Sequence, residues 1–480
     1  MRAPLLAVCI AAWSASCGPT GARVRIEPPA VTCEARCRSL ASGRCECLRG
    51  CPGITVSPEE CPPPPPDLRR RSRGSCPYVY LWDGRDYRYY TDLSGSVLAK
   101  GLAFFRPAFY GENIYELGPF ASPGGVYRML LREVIYESSY VDAANLVLVD
   151  VPAGYEVYNE WSFTSQLNRP PERGFVTVRG PRPPRSARSE TGADVLREVS
   201  DADGVPLPVT RDQLSRVVLD FGPIAHPEHA KLILTAWGTY EDLRDLPRAA
   251  YTAGTTIETL DEGGQWRVRK VAGKAAGDAR TWVIDLAGVL RQGDTRLRLT
   301  MARLPSVLDV LDAARLDDSP PVPVTVTRVA PRVAELRHGG AARVDGSTLT
   351  HRVRADNSHL PLVADALLSG WYTRYGDVRP LLQAADDRFV LMAHGDELAL
   401  EYDAPPRAPG TTRRAFLAAD VFYTLKDHPF GRVTTTNEPL PFHGMPSYPY
   451  PPQAWPYRHD AAYQRDLREW NTRRVEAPDR

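Results

Sequence analysis

The sequence predicts an all-β protein: tandem β-sandwiches of jelly-roll or Ig-like type, with a small disulfide-rich segment before them and a short C-terminal helix after. Three observations carry that expectation. Short runs rich in aromatic and β-branched residues recur along the 480-residue chain, separated by polar turns. Its 45 prolines oppose a helical protein, because proline removes an amide donor and clashes inside a helix. Six cysteines crowd residues 33–61, a stretch almost without large apolar side chains, where covalent staples must stand in for a core.

The chain opens MRAPLLAVCIAAWSASCGPTG. One arginine, an apolar run over residues 3–13 and then small residues follow the order of a secretory signal peptide, here 1–16; the run is too short to span a bilayer. A buried N-terminal strand or helix is the alternative. The sequence Ser14-Ala15-Ser16-Cys17 resembles a bacterial lipobox, which implies acylation of Cys17 and a lipid anchor in the bacterial envelope. Ser14 stands where that pattern usually has leucine, so plain cleavage stays open. Gly18 is not the aspartate that favours inner-membrane retention, and the implied location is the outer membrane, with a soluble periplasmic or secreted protein as the alternative. No later stretch approaches the roughly twenty apolar residues of a transmembrane helix.

Export favours disulfides in the segment 17–61. Its cysteines, Cys33, Cys37, Cys45, Cys47, Cys51 and Cys61, are spaced C-x3-C-x7-C-x-C-x3-C-x9-C, unlike the paired C-x2-4-C knuckles of zinc sites. Six cysteines allow about fifteen connectivities, and spacing does not choose among them. Cys76 lies beyond the cluster as an unassigned thiol. Acylation of Cys17 leaves an odd number of thiols, and cleavage without acylation an even number.

Lys+Arg number 59 against 58 Asp+Glu, a net charge of +1 that lacks the basic field of a nucleic-acid-binding protein. The arginines of residues 69–73 sit in a Pro/Arg-rich linker, 62–75. It begins with five prolines, a polyproline II rod of roughly 15 Å at about 3.1 Å per residue. Anchor, stapled knob, stiff spacer and body then follow in order.

The body divides by composition. A β-rich module is expected over 76–180, with Asp83-Gly84 as a hairpin turn in CPYVYLWDGRDYRYYTDL. A polar Pro/Arg loop follows at 181–204. A jelly-roll-like sandwich spans 205–320, with strands in SRVVLDFG, KLILTAW, QWRVRKV, RTWVIDL and TRLRLTM and a brief helical possibility at 306–315. Residues 319–324, SPPVPV, join it to a C-terminal sandwich over 321–439, with strands in RFVLMAHGDELALEYDA and RRAFLAADVFYTL. In 440–480, LPFHGMPSYPYPPQAWPY is too proline-rich for regular structure. It reads as an aromatic strap over the last sandwich, with a partner-binding surface as the alternative. Helical periodicity follows at 460–474.

The phrases SCPYVYLWDGRDYRYYTDLSGSV and YRMLLREVIYESSYVDAANLVLVDVPAGYEVY resemble a β-rich module of a functionally uncharacterised family of bacterial surface lipoproteins. The module also occurs beside FG-GAP/ASPIC-UnbV or tetratricopeptide regions. TRYGDVRPLL, DDRFVLMAHGDELALEYDA and EPLPFHGMPSYPYP extend the resemblance in pieces from Cys76 to Trp470. It implies an exported β-protein and supplies no catalytic residues. In the middle block, LILTAWGTY, QWRVRK, TWVIDLAGVL and TRLRLTMARL loosely resemble a galactose-binding-type jelly roll. That family tends to carry an aromatic pair where this chain has Pro305-Ser306-Val307, and a shared fold does not imply a shared ligand.

Motifs for catalysis are absent: no G-x-S-x-G, H-E-x-x-H or G-x-x-x-x-G-K-[ST]. His226-Pro-Glu-His229 has a proline against the helix that would align its histidines. The acidic pairs Asp386-Asp387 and Asp396-Glu397 are weak calcium candidates, since that ion takes several carboxylate oxygens. Trp237, Trp266, Trp282 and Trp371 are candidates for stacking on a sugar ring, with core packing as the default. The expected function is a noncatalytic binding or scaffold lipoprotein of the cell envelope. A glycan-binding protein using the jelly-roll block is the alternative, with an exported hydrolase as a weaker one. A polysaccharide or another envelope protein is the candidate ligand.

Overall fold

The computed structural model describes residues 77–475 apart from 94, 99–111, 119, 121, 134–136, 161–173, 210–214, 241–245, 247–250, 253, 276, 305, 306, 340–368, 426, 429, 430 and 433–438, together with three short strands before them. The chain divides into two compact units, 1–70 and 71–480. In the first, the strands Arg36–Ser39, Cys45–Leu48 and Thr55–Val56 form an antiparallel sheet in which Cys37 lies opposite Cys47. The expected signal segment 1–16, Cys17, Cys33, Cys51, Cys61, the expected linker 62–75 and Cys76 lie outside the described residues, as do the side chains of Cys37, Cys45 and Cys47.

The second unit is all-β with a short C-terminal helix. Its first hairpin forms where the sequence places it. Tyr78–Trp82 pairs with Tyr87–Asp92, and the Asp83 Oδ1 accepts the backbone N–H groups of Arg85 (2.9 Å) and Asp86 (2.8 Å). Gly84 sits at φ +100°, a left-handed conformation that glycine adopts without a Cβ clash.

Two sheets face each other in an outer sandwich. One runs Gly376–Asp377, Val333–His338, Asp396–Asp403, Val126–Arg132, Tyr78–Trp82, Tyr87–Asp92. The other is built on Glu137–Pro152 paired with Thr411–Leu425, flanked by Thr325–Val329, Ser96–Leu98, Val390–Met392 and Asn113–Leu117. Met129, Leu131, Leu398 and Leu400 from the first sheet share a core with Val141, Leu146, Leu417 and Val421 from the second. Each such side chain contributes about 1.5–3 kcal/mol on burial.

The blocks expected as separate, 76–180 and 321–439, therefore pair strand to strand in both sheets and complete one sandwich between them. The middle block is inserted into it. There, Ser186–Ser189, Arg216–Asp220, Arg296–Thr300, Thr255–Leu260 and Trp266–Ala272 form one sheet, in that order. Arg280–Asp285, Lys231–Tyr240, Val307–Asp317 and Arg303–Leu304 form the other. Leu219, Ile257 and Leu299 meet Leu232, Leu234 and Trp282 between them. The passage 181–204, expected as a loop, supplies the edge strand Ser186–Ser189 and a helical turn, Leu196–Ser200, that buries Val199.

The helical possibility at 306–315 is a strand, and the reason is a bulge. Ala313 lies opposite Thr235 and Leu311 opposite Ala236, so Asp312 is an extra residue in the ladder. Core contacts then fall at Leu311, Ala314 and Leu316, and one three-residue step mimics a helical spacing.

Glu137–Pro152 carries the same device. Val141 lies opposite Val421 and Ala143 opposite Asp420, which leaves Asp142 as the bulged residue. Core contacts step from Val141 to Ala144, Leu146 and Leu148, while Val147, Val149 and Val151 line the opposite face with Phe416 and Ala418. Farther along that opposite face, Tyr140 and Phe422 are covered by Phe442, Met445 and Tyr450 of the 440–457 strap. The helix Ala461–Trp470 follows. Asp460 caps it, accepting the N–H groups of Ala462 (2.9 Å) and Tyr463 (3.0 Å). Asp460→Ala is expected to lower stability by about 1 kcal/mol, read from the urea midpoint.

Buried charges tie strand to strand. Arg413 holds Asp150 through two parallel bonds of 2.6 and 2.7 Å, and Arg132, 2% exposed, reaches Glu397 at 3.1 Å and the Gly339 carbonyl at 2.8 Å. Glu116 is less well compensated. Burial pushes its carboxyl up to about 7 against the attraction of Arg414, 3.3 Å away. The folded chain keeps this proton to higher pH than the unfolded chain. The Glu116 contribution to stability is thus complete below about pH 4.5 and is lost as pH rises through about 7. Glu116→Gln cannot ionise and is expected to abolish that decline, on the order of 3 kcal/mol, in denaturation midpoints compared at pH values below and above this window.

Candidate functional site

The four candidate tryptophans do not share a face. Trp282 is fully buried between the sheets of the inserted sandwich, and Trp237 is half-buried on the neighbouring strand. Trp266 lies in the opposite sheet with the Arg298 guanidinium over its ring at 5.1 Å. Trp371 belongs to the short strand Gly370–Tyr372 beside the outer sandwich, 46% exposed, with Arg474 over it at 5.8 Å. His226 and His229 occupy a short turn before Lys231–Tyr240, where His226 faces Glu228 at 3.3 Å.

The two acidic pairs part company as well. Glu397 is held by Arg132 and Arg337. Asp396 accepts from the Ala393 N–H (2.7 Å) and the Tyr375 hydroxyl (2.9 Å) and pairs with Arg473. Asp386 sits at the surface beside Arg388. Asp387 alone joins a cluster, and its partners come from three other segments.

Asp387 precedes the strand Val390–Met392 at φ +65°, the left-handed region that aspartate enters more readily than most side chains. Its N–H donates to the Asp142 Oδ2 (2.9 Å). Its Oδ1 accepts the His443 backbone N–H (2.8 Å) and faces the His443 Nδ1 (2.6 Å). Tyr457 donates its hydroxyl to the Asp387 Oδ2, and Tyr463 donates to the Asp387 carbonyl (2.7 Å). One aspartate thus connects the bulged strand, the strap and the terminal helix. On the far side of the imidazole, Nε2 lies 2.9 Å from the Asp420 Oδ2. Phe422 packs edge-on against the ring, centroids 5.5 Å apart.

The fold explains the convergence. Asp420 alternates with Ala418 and Phe422 on the sheet face beneath the strap, and the bulge at Asp142 sets a second carboxylate beside it. Burial alone would depress the His443 imidazolium, but hydrogen bonds to Asp387 and Asp420 outweigh it and raise its pKa to about 10. Burial pushes the Asp142 carboxyl up to about 8, against the Asp387 N–H that favours its ionised form. Near neutral pH the cluster therefore holds a charged imidazolium beside a protonated Asp142 carboxyl. Asp142, Asp387 and His443 each bring one donor atom within 4.8 Å of the others, the spread a single metal ion could bridge.

Sequence reasoning singled out Asp387 and missed Asp142, Asp420 and His443. A signal for two of them exists: VDAANLVLV and LAADVF each place an aspartate inside a largely apolar run. For His443 there is none, because its partners lie 23 to 56 residues or more away.

No protein-family model matches the chain, and no curated protein does. Among solved structures, one of infectious bursal disease virus, Gt strain, aligns at 10% identity over 75% of this chain and 79% of that chain. Its TM-score of 0.11 carries no argument about fold or function.

Proposed function

We propose that the chain is a noncatalytic binding or scaffold lipoprotein of the bacterial cell envelope, held at the outer membrane through Cys17. The observation that supports this reading most is the construction of the body. One sandwich is inserted into another, and a buried ion pair between Asp92 and Arg280 joins them, a block suited to presentation at a surface. The leader-like opening, the cysteine cluster and the proline rod supply anchor, knob and spacer for it. Its ligand is an envelope polysaccharide or another envelope protein.

The test is the intact mass of the mature protein from a native envelope, alkylated with and without prior reduction. An acyl adduct on Cys17, with the 33–61 cysteines blocked until reduction, is the expected result. Cleavage without acylation would replace the anchored reading with a soluble exported one. Freely alkylated cysteines throughout the cluster would sink the export argument.

A further inference from the structure

We propose that Asp142, Asp387 and His443 form a site for one divalent cation of the Zn2+ or Mn2+ class, which fastens the 440–457 strap to the sheet beneath it. The inference rests on the fold and is independent of the envelope reading.

Donor geometry comes first. The His443 Nδ1 lies 2.6 Å from the Asp387 Oδ1 and 3.7 Å from the Asp142 Oδ2. Ligand atoms about 2.0–2.2 Å from a small divalent ion sit roughly 3 Å apart, between those two separations. The surrounding groups are those that orient metal ligands. Asp420 holds the other imidazole nitrogen at 2.9 Å, the carboxylate–imidazole arrangement that fixes ring and tautomer of a metal-bound histidine. Tyr457 occupies the second oxygen of Asp387, and the first, which accepts the His443 backbone N–H, also faces the imidazole Nδ1.

An independent observation points to a missing partner. Asp142 is fully buried, and its Oδ1 has no hydrogen-bond donor among the described residues. A buried carboxyl oxygen without a hydrogen-bond partner is costly unless something else satisfies it.

Charge compensation agrees. Elsewhere in this body, Asp92, Asp150, Glu258, Asp317, Asp396 and Glu397 each hold an arginine or lysine. Around His443, three buried carboxyl groups face a single imidazole, and no lysine or arginine among the described residues lies within 4.0 Å of them. Two carboxylates with one imidazole and no thiolate suit Zn2+ or Mn2+. Calcium takes six to eight oxygens, and Asp396 and Glu397 are engaged elsewhere. With 29% of the His443 side chain exposed, an ion has a route in from solvent.

The test uses the full mature chain, stripped with chelator and titrated calorimetrically with Zn2+, Mn2+ and Ca2+ in turn. One Zn2+ or Mn2+ per chain is expected, bound at least about tenfold more tightly than Ca2+. Asp142→Asn, nearly isosteric, is expected to weaken binding about 100-fold or more, and Asp420→Asn, which touches no ion, about 10- to 100-fold. Glu401→Gln, at a surface ion pair, should leave affinity unchanged. Wild-type protein that binds none of the three ions more tightly than about 100 µM would overturn the proposal. So would binding that both asparagine variants leave unaltered; the cluster would then be an acid–histidine latch alone.

Discussion

Replacing Arg280 with alanine is expected to lower the stability of the body by about 3–5 kcal/mol. Arg280 donates to the Asp92 carboxylate at 2.6 Å and to the Asp92 carbonyl at 2.7 Å, and its guanidinium lies over the Tyr115 ring at 5.0 Å. Asp92 is fully buried, and its Oδ1 also accepts the Asp278 N–H. Asp92 ends the Tyr87–Asp92 strand of the outer sandwich, whereas Arg280 opens the Arg280–Asp285 strand of the inserted one. Removing the arginine strands a carboxylate where water cannot reach it, and the penalty is that of an unpaired buried charge rather than of one lost hydrogen bond. The double replacement Asp92→Leu with Arg280→Met removes both charges and is expected to recover most of the loss. Urea midpoints of the four variants in that cycle give the coupling directly. Arg85→Ala, at a pair whose side chains are 82% and 43% exposed, should change stability by less than about 0.5 kcal/mol. If Arg280→Ala behaves like Arg85→Ala, the two sandwiches are not joined by this contact.

That inter-sandwich joint shows where sequence reasoning ran out. Strand positions were legible because aromatic and β-branched runs with turn residues between them are local signals; Asp83-Gly84 and Glu262-Gly263-Gly264 fall in turns between paired strands. The nesting was not legible. Thr411–Leu425 takes Glu137–Pro152 as its partner across more than 250 intervening residues, and nothing local in either run states that choice. Asp142 and Asp312 hid differently. Each interrupts the two-residue alternation by one position, and an interrupted strand is easily taken for a short helix or a loop. At the candidate site, Asp387 was noticeable as half of an acidic pair. Its sequence neighbour Asp386 turned to solvent, and its working partners arrived through the bulge, the strap and the Asp420 face.

Trp282→Ala is expected to cost about 3–5 kcal/mol, and the size of that loss separates a core role from a sugar-binding one. Trp282 is 0% exposed, opposite Leu234 on the neighbouring strand, and shares its core with Leu219 and Leu299 of the facing sheet. Its indole N–H has no acceptor among the described residues, so the ring is held by packing. Phenylalanine keeps much of the apolar volume and deletes that unsatisfied donor. Trp282→Phe should therefore cost far less than Trp282→Ala, about 1–2 kcal/mol. A stacking residue would behave in the opposite way: alanine would abolish retention on a polysaccharide and leave the denaturation midpoint in place. Trp371 supplies the contrast. At 46% exposure, Trp371→Ala should shift stability by less than about 1 kcal/mol, the worth of an exposed contact with the Arg474 guanidinium. Equal midpoints for Trp282→Ala and wild type would mean that the inserted sandwich does not close over this ring. The jelly-roll surface would then regain its claim as a ligand face.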